Sequence, residues 1–461
     1  MSQSKDLPEV VSAPTHENFC SYLPWACLQF GVPAVVAINK VIIEGQFMSH
    51  NSKPHPESNK ILSKGRKTSS SFHLPSVDEK QSTADPMNPK IYMTAVFNNA
   101  NKLIKLIFEN ENETIPREVM KVINLIIHKQ TDLRRLEIKN GVDKFIIHEI
   151  SEIQKVSHLT EICLDNSFVK EGNYAVLLNT DSLRYLSLSK CKINDKVMEE
   201  MCKNLEYPNP ASKSLVALVL STNMITDDGA KFLREALRSN RKLAYLNLAD
   251  NRITDEGASY ILDTLVEFRI RTEELVAAKG RRFAYLKVRN TVSLYKVNHK
   301  ETKKSTKNKL STSSVSSKKE KLRDALKSRE NAKASVVADE TEHEARRIDK
   351  DFHDPFHFPN IYMKEGTAYC KGNNSLLYLN VAYNNLTFIS LKKILEVILY
   401  QKISDVGKGL VDVKLDGNYL PECEEIPFSD LRTKFKSHTE SKKKKILKVV
   451  AKGIILQFCC L

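Results

Sequence analysis

The chain of 461 residues is poor in several features that mark protein classes. Only 14 residues are glycine, one is tryptophan and 7% are aromatic, which excludes collagen-like and glycine-rich low-complexity proteins. No apolar run reaches the length of a bilayer-spanning helix, and the start MSQSKDLPEV lacks a basic region followed by an apolar one. These absences predict a chain with no signal peptide and no membrane span.

The nine cysteines include no CxxC pair and no cluster with histidine at zinc-ligand spacing. An odd number of cysteines without such pairs is typical of thiols in a reducing compartment. We therefore expect a cytoplasmic protein, with the nucleus as an alternative because of the lysine cluster at Lys442–Lys445. We expect no cofactor and no metal, and interpret His353 to His357 as a surface loop rather than a metal site.

Sequence signatures of common enzymes are missing as well. There is no phosphate-binding GxxxxGK[ST] loop, no GxGxxG after a strand, no HExxH helix and no GxSxG turn. The sequence therefore predicts a protein that is not an enzyme and has no small-molecule substrate.

What the sequence does contain is an internal repeat with the pattern LxxLxLxx(N/C)xI. Complete copies start at Leu183, Leu215 and Leu243. Weaker or later copies start at four further leucines, and an eighth copy is expected at the N-terminal edge: Leu133, Leu159, Leu376, Leu410 and Leu103. The steps from Leu133 to Leu243 are 26, 24, 32 and 28 residues, which leaves room for a strand and a helix of two to three turns.

This pattern is that of a leucine-rich repeat, with the leucines facing a core. The asparagine or cysteine at position nine is expected to bond backbone groups of the turn, which makes Asn223, Asn251, Asn384 and Asn418 structural. The predicted fold class is α/β: a right-handed leucine-rich-repeat solenoid, or horseshoe, with a parallel inner sheet, outer helices and disordered segments.

The helix starts at Thr226-Asp-Asp-Gly-Ala and Thr254-Asp-Glu-Gly-Ala resemble the ribonuclease-inhibitor-like subfamily of leucine-rich repeats. The run after Thr264, the lysine-rich insert and the resumed repeats resemble non-enzymatic members associated with ciliated cells. The resemblance implies a protein-interaction scaffold, with a cytoskeletal or ciliary role. A GTPase activator similar to the Ran activators, which share this subfamily, is an alternative that no matching site residue supports.

Composition divides the chain into four regions. Residues 1–86 are expected to be mostly disordered, with a short helix near 17–32 that packs on the solenoid or docks a partner through Trp25. Residues 87–270 hold repeats with an N-terminal cap. Residues 271–350 form a basic insert, helical at first and then disordered, and 351–461 hold the late repeats and a C-terminal cap.

Positive charge is concentrated in the insert. From Arg271 to Ser335 there are 19 Lys or Arg and 6 Asp or Glu. Such a segment is a candidate for binding an acidic partner, nucleic acid or an acidic protein tail. Its few aromatics, Phe283, Tyr285 and Tyr295, precede the lysine-richest part, which weighs against base stacking.

A partner-binding surface is predicted on the concave face of the strands. Positions three, five and seven alternate with the inward leucines, so their side chains project from the sheet. The candidate site residues are Tyr185, Tyr245 and Tyr378 with Asn247 and Asn380, beside a charged zone in the N-terminal repeats. An equally weighted alternative is that these tyrosines are good strand formers without a binding role.

Overall fold

The computed structural model describes residues 13–43, 89–110, 114–170, 172–307, 352–404 and 409–420, with the backbone alone for 291–307. Three predicted segments fall outside these ranges, wholly or mainly. They are the linker from His50 to Asp85, the stretch from Glu301 to Lys319 beyond residue 307, and the C-terminal cap after residue 420.

Ten strands form one sheet in the order β1 to β8, then β12 and β13. Among these described strands, β2 and β3 pair antiparallel and all other neighbours pair parallel. The ten strands are β1 (Val35–Ile42), β2 (Lys90–Phe97), β3 (Leu103–Phe108), β4 (Arg135–Ile138), β5 (Glu161–Cys163), β6 (Tyr185–Ser187), β7 (Ala217–Val219), β8 (Tyr245–Asn247), β12 (Tyr378–Asn380) and β13 (Asp412–Lys414). A long parallel sheet is what stacked βα units require.

Helices follow most of the repeat strands and cover one face of the sheet. The helices of the large sheet are α1 (Phe19–Gln29), α2 (Arg117–Ile126), α3 (Lys144–Val156), α4 (Asp195–Leu205), α5 (Ala211–Ser214), α6 (Asp227–Ser239), α7 (Asp255–Leu262) and α9 (Phe388–Ile403). Leucines at positions one, four and six are buried between sheet and helices in one continuous core, as predicted.

The N-terminal end of the sheet is covered by α1, which lies inside the range 17–32 expected for a helix. Phe19 and Leu23 are fully buried in the main core and Trp25 packs against it, which favours the packing interpretation over a free docking peptide. Strand β1 is an element that the sequence did not predict within residues 1–86. Buried and exposed residues do not alternate clearly along β1, and its conformation is fixed by pairing with β2.

In most repeats the chain leaves the strand through a residue in the left-handed backbone region. Position eight has a positive φ in six repeats, at Asn166 (63°), Lys190 (58°), Thr222 (56°), Asp250 (55°), Tyr383 (53°) and Gly417 (69°). The recurrence of this turn at non-glycine residues indicates that neighbouring repeats hold it in place.

The asparagine at position nine fixes this turn by hydrogen bonds to neighbouring backbone groups. Asn223 Oδ1 accepts from the N–H groups of Cys191 and Ile193, both at 3.0 Å, and its Nδ2 donates to the carbonyls of Leu188 and Leu220. Asn251, Asn384 and Asn418 bond in the same manner. The predicted structural role is confirmed, with the addition that each side chain also reaches the turn of the preceding repeat.

An aspartate at the helix starts forms a second link between repeats. Asp227 accepts from the N–H and hydroxyl of Thr254, at 2.8 and 2.6 Å, and from the N–H of Gly257 at 3.0 Å. A Cβ on Gly257 would collide with Asp227 Oδ1 where that atom now lies. Asp195 and Asp255 repeat the arrangement toward Thr226 and Thr387, and Ser390 takes the place of the glycine in the Asp255 link.

The repeat stack, β4 to β8 with β12, β13 and their helices, continues directly across the insert. Strand β12 pairs with β8 in register, Tyr378 opposite Tyr245, although 133 residues separate these residues in sequence. The intervening chain leaves the stack after α7 and returns before β12.

That chain forms a separate side module, made of β9 (Phe268–Arg269), α8 (Thr272–Lys307), β10 (Ile361–Lys364) and β11 (Thr367–Cys370). Its three strands form an antiparallel sheet in the order β10–β11–β9. Two expectations change here. Residues 301–307, expected to be disordered, continue α8, and 361–370, expected with the late repeats, form β10 and β11, of which β11 pairs with β9.

Candidate exposed sheet face

The face of the sheet opposite the helices carries the residues at positions three, five and seven of each repeat. In-register pairing aligns them in rows that cross the sheet. The row at position three is Lys105, Arg135, Glu161, Tyr185, Ala217, Tyr245, Tyr378 and Asp412. The row at position five is Ile107, Glu137, Cys163, Ser187, Val219, Asn247, Asn380 and Lys414.

Strands β3 to β5 give this face a charged, self-paired end. Lys105 contacts Glu137 at 2.8 Å, and Arg135 contacts Glu161 at 3.2 Å and Glu137 at 3.5 Å. Burial acts to raise the pKa of Glu137, but the hydrogen bond from Lys105 and the charges of Lys105 and Arg135 outweigh it and lower the pKa. The charged zone predicted from the N-terminal repeats is therefore largely neutralised within itself.

The next four strands of the face, β6, β7, β8 and β12, carry no charged residue. Backbone hydrogen bonds extend the ladder past the strands, from Thr222 N to Ala249 O and from Asp250 N to Ala382 O, and so align position seven as well. We call these twelve residues the neutral window: Tyr185, Ser187, Ser189, Ala217, Val219, Ser221, Tyr245, Asn247, Ala249, Tyr378, Asn380 and Ala382. Charged residues resume on β13 with Asp412 and Lys414.

The three predicted tyrosines are half-buried and fall into two groups. The rings of Tyr245 and Tyr378 lie on adjacent strands with centroids 6.3 Å apart. Tyr185 stands two strands away beyond Ala217, with the Arg135 guanidinium 5.5 Å from its ring centroid. Burial raises the pKa of Tyr185 and of Tyr245, so both phenols keep their protons and can donate hydrogen bonds.

Asn247 and Asn380 are also adjacent, next to the tyrosine pair. Each Oδ1 accepts from the N–H two residues on, Ala249 at 3.0 Å and Ala382 at 3.1 Å. This short-range bond fixes each side chain before a partner arrives. The structure thus brings four of the five predicted residues together and leaves Tyr185 apart.

Ser187 also stands at position five, where the repeat pattern predicts a side chain that projects from the sheet, but it projects little. Its hydroxyl donates to Asp165 at 2.6 Å, and the residue is only 1% exposed. Position seven, which the sequence prediction left unspecified in the middle repeats, contributes Ser189 and Ser221, whose hydroxyl oxygens are 2.9 Å apart. Repeat alignment could have identified this row, because position seven keeps the same side of the strand as position five.

A family model described as Leucine Rich repeat matches residues 211–233 and 239–262, which contain β7 and β8. These residues of the chain match leucine-rich repeats. Leucine-rich repeats are generally protein-interaction modules, and the family is typically non-enzymatic. A search of curated proteins gave no match to the chain.

Two further classes of site were sought in the part of the chain that the structure describes. No helix there is long and apolar enough to cross a membrane. No group of three or more His, Cys, Asp or Glu side chains there could hold a metal ion. In the motif from His353 to His357, Asp354 is instead bound by Arg281, at 2.6 and 3.1 Å.

Proposed function

We propose that this leucine-rich repeat protein is a non-enzymatic scaffold that binds a protein partner at the neutral window. The observation that carries the proposal is the absence of charge at twelve aligned positions on four neighbouring strands, between charged strands on both sides. Interface cores are depleted in charged residues and enriched in tyrosine, while their rims are polar. The window and its flanks have this composition.

The dimensions of the window suit a protein segment rather than a small molecule. Four strands at about 4.8 Å spacing and three rows along the strands span roughly 14 Å in each direction. We propose that the repeats wind in a right-handed sense, which is the strong preference of parallel crossover connections, and that this face is concave. A concave sheet would surround a helix or an extended segment of the partner.

The tyrosine pair is the proposed centre of contact. Tyr245 and Tyr378 together present two rings with phenolic donors, and tyrosine supplies a large amphipathic contact area at low entropic cost. Asn247 and Asn380 beside them offer amide groups to the partner's backbone. Tyr185, backed by Arg135, would form a second contact at the charged edge.

The wider layout suggests where such a scaffold works. Repeats, a lysine-rich insert and resumed repeats resemble leucine-rich repeat-containing protein 71, and the helix starts resemble the ribonuclease-inhibitor-like subfamily. On this basis we propose a cytoplasmic protein with a cytoskeletal or ciliary role, with the nucleus as an alternative. GTPase activation has less support, because no residue can be matched to the working site of the Ran activators.

The experiment compares capture of partners by the full-length protein and by Tyr245→Ser/Tyr378→Ser. The matched control is Tyr260→Ser/Tyr419→Ser, which removes two tyrosines outside the window, one on α7 and one after β13. We expect the window variant to lose a captured protein by about tenfold or more, as interface hot spots do, while its thermal midpoint stays within a few degrees.

A second variant tests charge rather than size. Asn380→Asp introduces one negative charge into the window with almost no change in shape, and Asn385→Asp does the same at an exposed position outside it. We expect the first to weaken capture and the second to leave it unchanged. Intact capture by both window variants, or equal loss in the controls, would contradict the proposal.

A further inference from the structure

A cleft of about 1030 Å³ lies where the chain leaves the repeat stack and returns to it. Its walls come from four parts of the sequence: the turn after α4, the residues before β8, the first part of α8, and the segment 352–360. The cleft is separate from the neutral window, which lies on the exposed strand positions.

The lining of the cleft is strongly cationic. Among the described residues of the lining, Lys213, Arg241, Lys242 and Arg282 are basic, and Asp354 is the one carboxylate. That carboxylate is fully buried and already accepts two hydrogen bonds from Arg281, at 2.6 and 3.1 Å. The described part of the lining therefore carries more basic than acidic side chains.

The guanidinium of Arg241 has neutral hydrogen-bond acceptors. It donates to the carbonyl oxygens of Leu237 and Asn240, at 3.2 and 3.1 Å, and to Cys370 Sγ at 3.3 Å. These acceptors are neutral, and burial lowers the pKa of Arg241. A desolvated cation held by neutral acceptors gains most from an anion placed beside it.

Aromatic rings stand beside these cations. Phe358 is 77% exposed at the rim, and Phe352 packs 5.0 Å from Tyr285 and edge-on to His357 at 5.3 Å. Tyr207 forms part of the wall and has the Arg281 guanidinium 5.1 Å from its ring centroid. The combination of exposed rings and cations in one cleft fits a ligand that has both flat rings and negative charge.

A row of basic positions leads away from the cleft along α8. Arg289, Lys296 and Lys303 follow Arg282 at seven-residue intervals, so their positions lie within about 60° of it around the helix axis. Lys300 and Lys307 share this side of the helix. From Arg282 to Lys307 the helix rises about 38 Å, which suits an extended polyanion better than a single phosphate.

We propose that the cleft and this side of α8 bind a single-stranded polynucleotide. Its phosphates would contact Lys213, Lys242, Arg282 and Arg289, and a base would stack on Phe358. This is how sequence-tolerant single-strand sites combine a basic groove with aromatic platforms. An acidic peptide would use the charges but not the exposed ring, and a duplex keeps its bases paired and unavailable to Phe358.

The first test measures binding of a labelled oligouridylate, about 20 nucleotides long, to the full-length protein by fluorescence anisotropy at several salt concentrations. Lys213→Gln/Lys242→Gln is compared with Lys155→Gln/Lys203→Gln, an equal charge change on α3 and α4. We expect the cleft variant to bind about tenfold more weakly, with a salt slope smaller by about 1.4, and the control to bind like the parent.

The second test separates stacking from charge. Phe358→Ala removes an exposed ring, so the thermal midpoint should not change, and we expect oligouridylate affinity to fall by about tenfold. Binding of polyglutamate at the same salt should be unaffected by this substitution. No oligouridylate binding, equal losses in the lysine control, or an unchanged affinity in Phe358→Ala would overturn the proposal. The tyrosine variants of the neutral window should leave this binding intact.

Discussion

The repeat stack and the side module are held together in different ways. In the stack, a buried asparagine and a helix-start aspartate recur from one repeat to the next, so equivalent contacts appear many times. The side module has a small core around Ile270, Phe356 and Cys370. Its main link to the stack is Arg238, which donates to Glu274 at 2.7 and 2.8 Å and to the carbonyl of Arg269 at 3.0 Å.

The difference teaches that repetition spreads stability, whereas an insert depends on a few unique contacts. A repeat that loses one link still has neighbours on both sides, as nearest-neighbour stability in solenoids implies. The buried ion pair of Arg238 with Glu274 holds the side module against the stack. The chain returns to the stack through the segment around Gly372, whose φ is 91°. Substitutions can therefore distinguish effects on the stability of the whole fold from effects on the side module alone.

The largest effect is expected from Asn251→Ala. The change leaves the N–H of Ile225 without a partner in the core and removes one of two side-chain amide donors from each of the carbonyls of Leu220 and Leu248. One buried N–H without an acceptor and the loss of three hydrogen bonds should cost about 3–4 kcal/mol in the free energy of unfolding, measured by urea denaturation. Asn247→Ala, on the exposed face of the same repeat, should cost less than about 1 kcal/mol.

Arg238→Ala should act mainly on the side module. Removing the arginine leaves the Glu274 carboxylate largely buried without its partner, which typically costs about 3 kcal/mol. Hydrogen exchange should show faster exchange in β9 and β11, with α6 and α7 protected as in the parent. Arg271→Ala, which breaks the more exposed pair with Glu235, should change exchange little. Loss of protection throughout the stack would instead mean that the two regions unfold as one unit.

Alanine at glycine positions should have opposite signs in the two regions. At Gly257 a new Cβ would meet Asp227 Oδ1 and, at 3.0 Å, its Cα, so Gly257→Ala should destabilise by about 1–3 kcal/mol. At Gly280, within α8, a Cβ would have nothing within 4 Å. Gly280→Ala should therefore stabilise the helix by about 0.5–1 kcal/mol. Equal effects on thermal unfolding would contradict the comparison.

The smallest effect concerns pH at the junction across the insert. Burial acts to raise the pKa of Asp255, but hydrogen bonds from Ser390 and Thr387 outweigh it, so the pKa of this carboxyl lies below its ordinary value. A depressed pKa contributes stability above the unfolded-state pKa, and this contribution is lost as pH falls through the folded-state pKa. Asp255→Asn should therefore show a smaller loss of stability in acid than the parent. Identical pH profiles of the variant and the parent would show that Asp255 does not contribute to the loss of stability in acid.

Much of the repeat stack followed from local sequence, because each unit repeats the same chemistry. Leu215, Leu218 and Leu220 alternate as a half-buried strand must, and Asn223 follows at the turn. Strand β1 could not be predicted in the same way. Apolar and polar residues do not alternate clearly in its sequence. Its place in the sheet depends on pairing with β2, a segment 45 or more residues away.

The candidate site was predictable residue by residue but not as a surface. Position in the repeat identified Tyr245 and Tyr378, whereas their contact at 6.3 Å requires β12 to stack on β8 across the whole insert. The burial of Ser187 was missed because it depends on Asp165 of the preceding repeat. Such contacts between repeats are set by register, which single-repeat patterns do not contain.

Our proposed polynucleotide site departs from one inference made from the sequence. Its own aromatics precede the lysine-rich stretch, and this order weighed against base stacking. Folding brings Phe352, Phe358 and Tyr207 to the same cleft as Arg282, from positions far apart in the chain. The proposal therefore rests on rings that the local order of the insert does not include.

By itself the sequence determined the repeating βα unit, its inward leucines and its structural asparagines, because period and side-chain chemistry are local properties of the chain. The tertiary structure decided which repeats are neighbours, and so the extent of the neutral window, the separate side module and the cationic cleft. These depend on contacts between residues distant in sequence, and burial and register fix such contacts only once the core has formed.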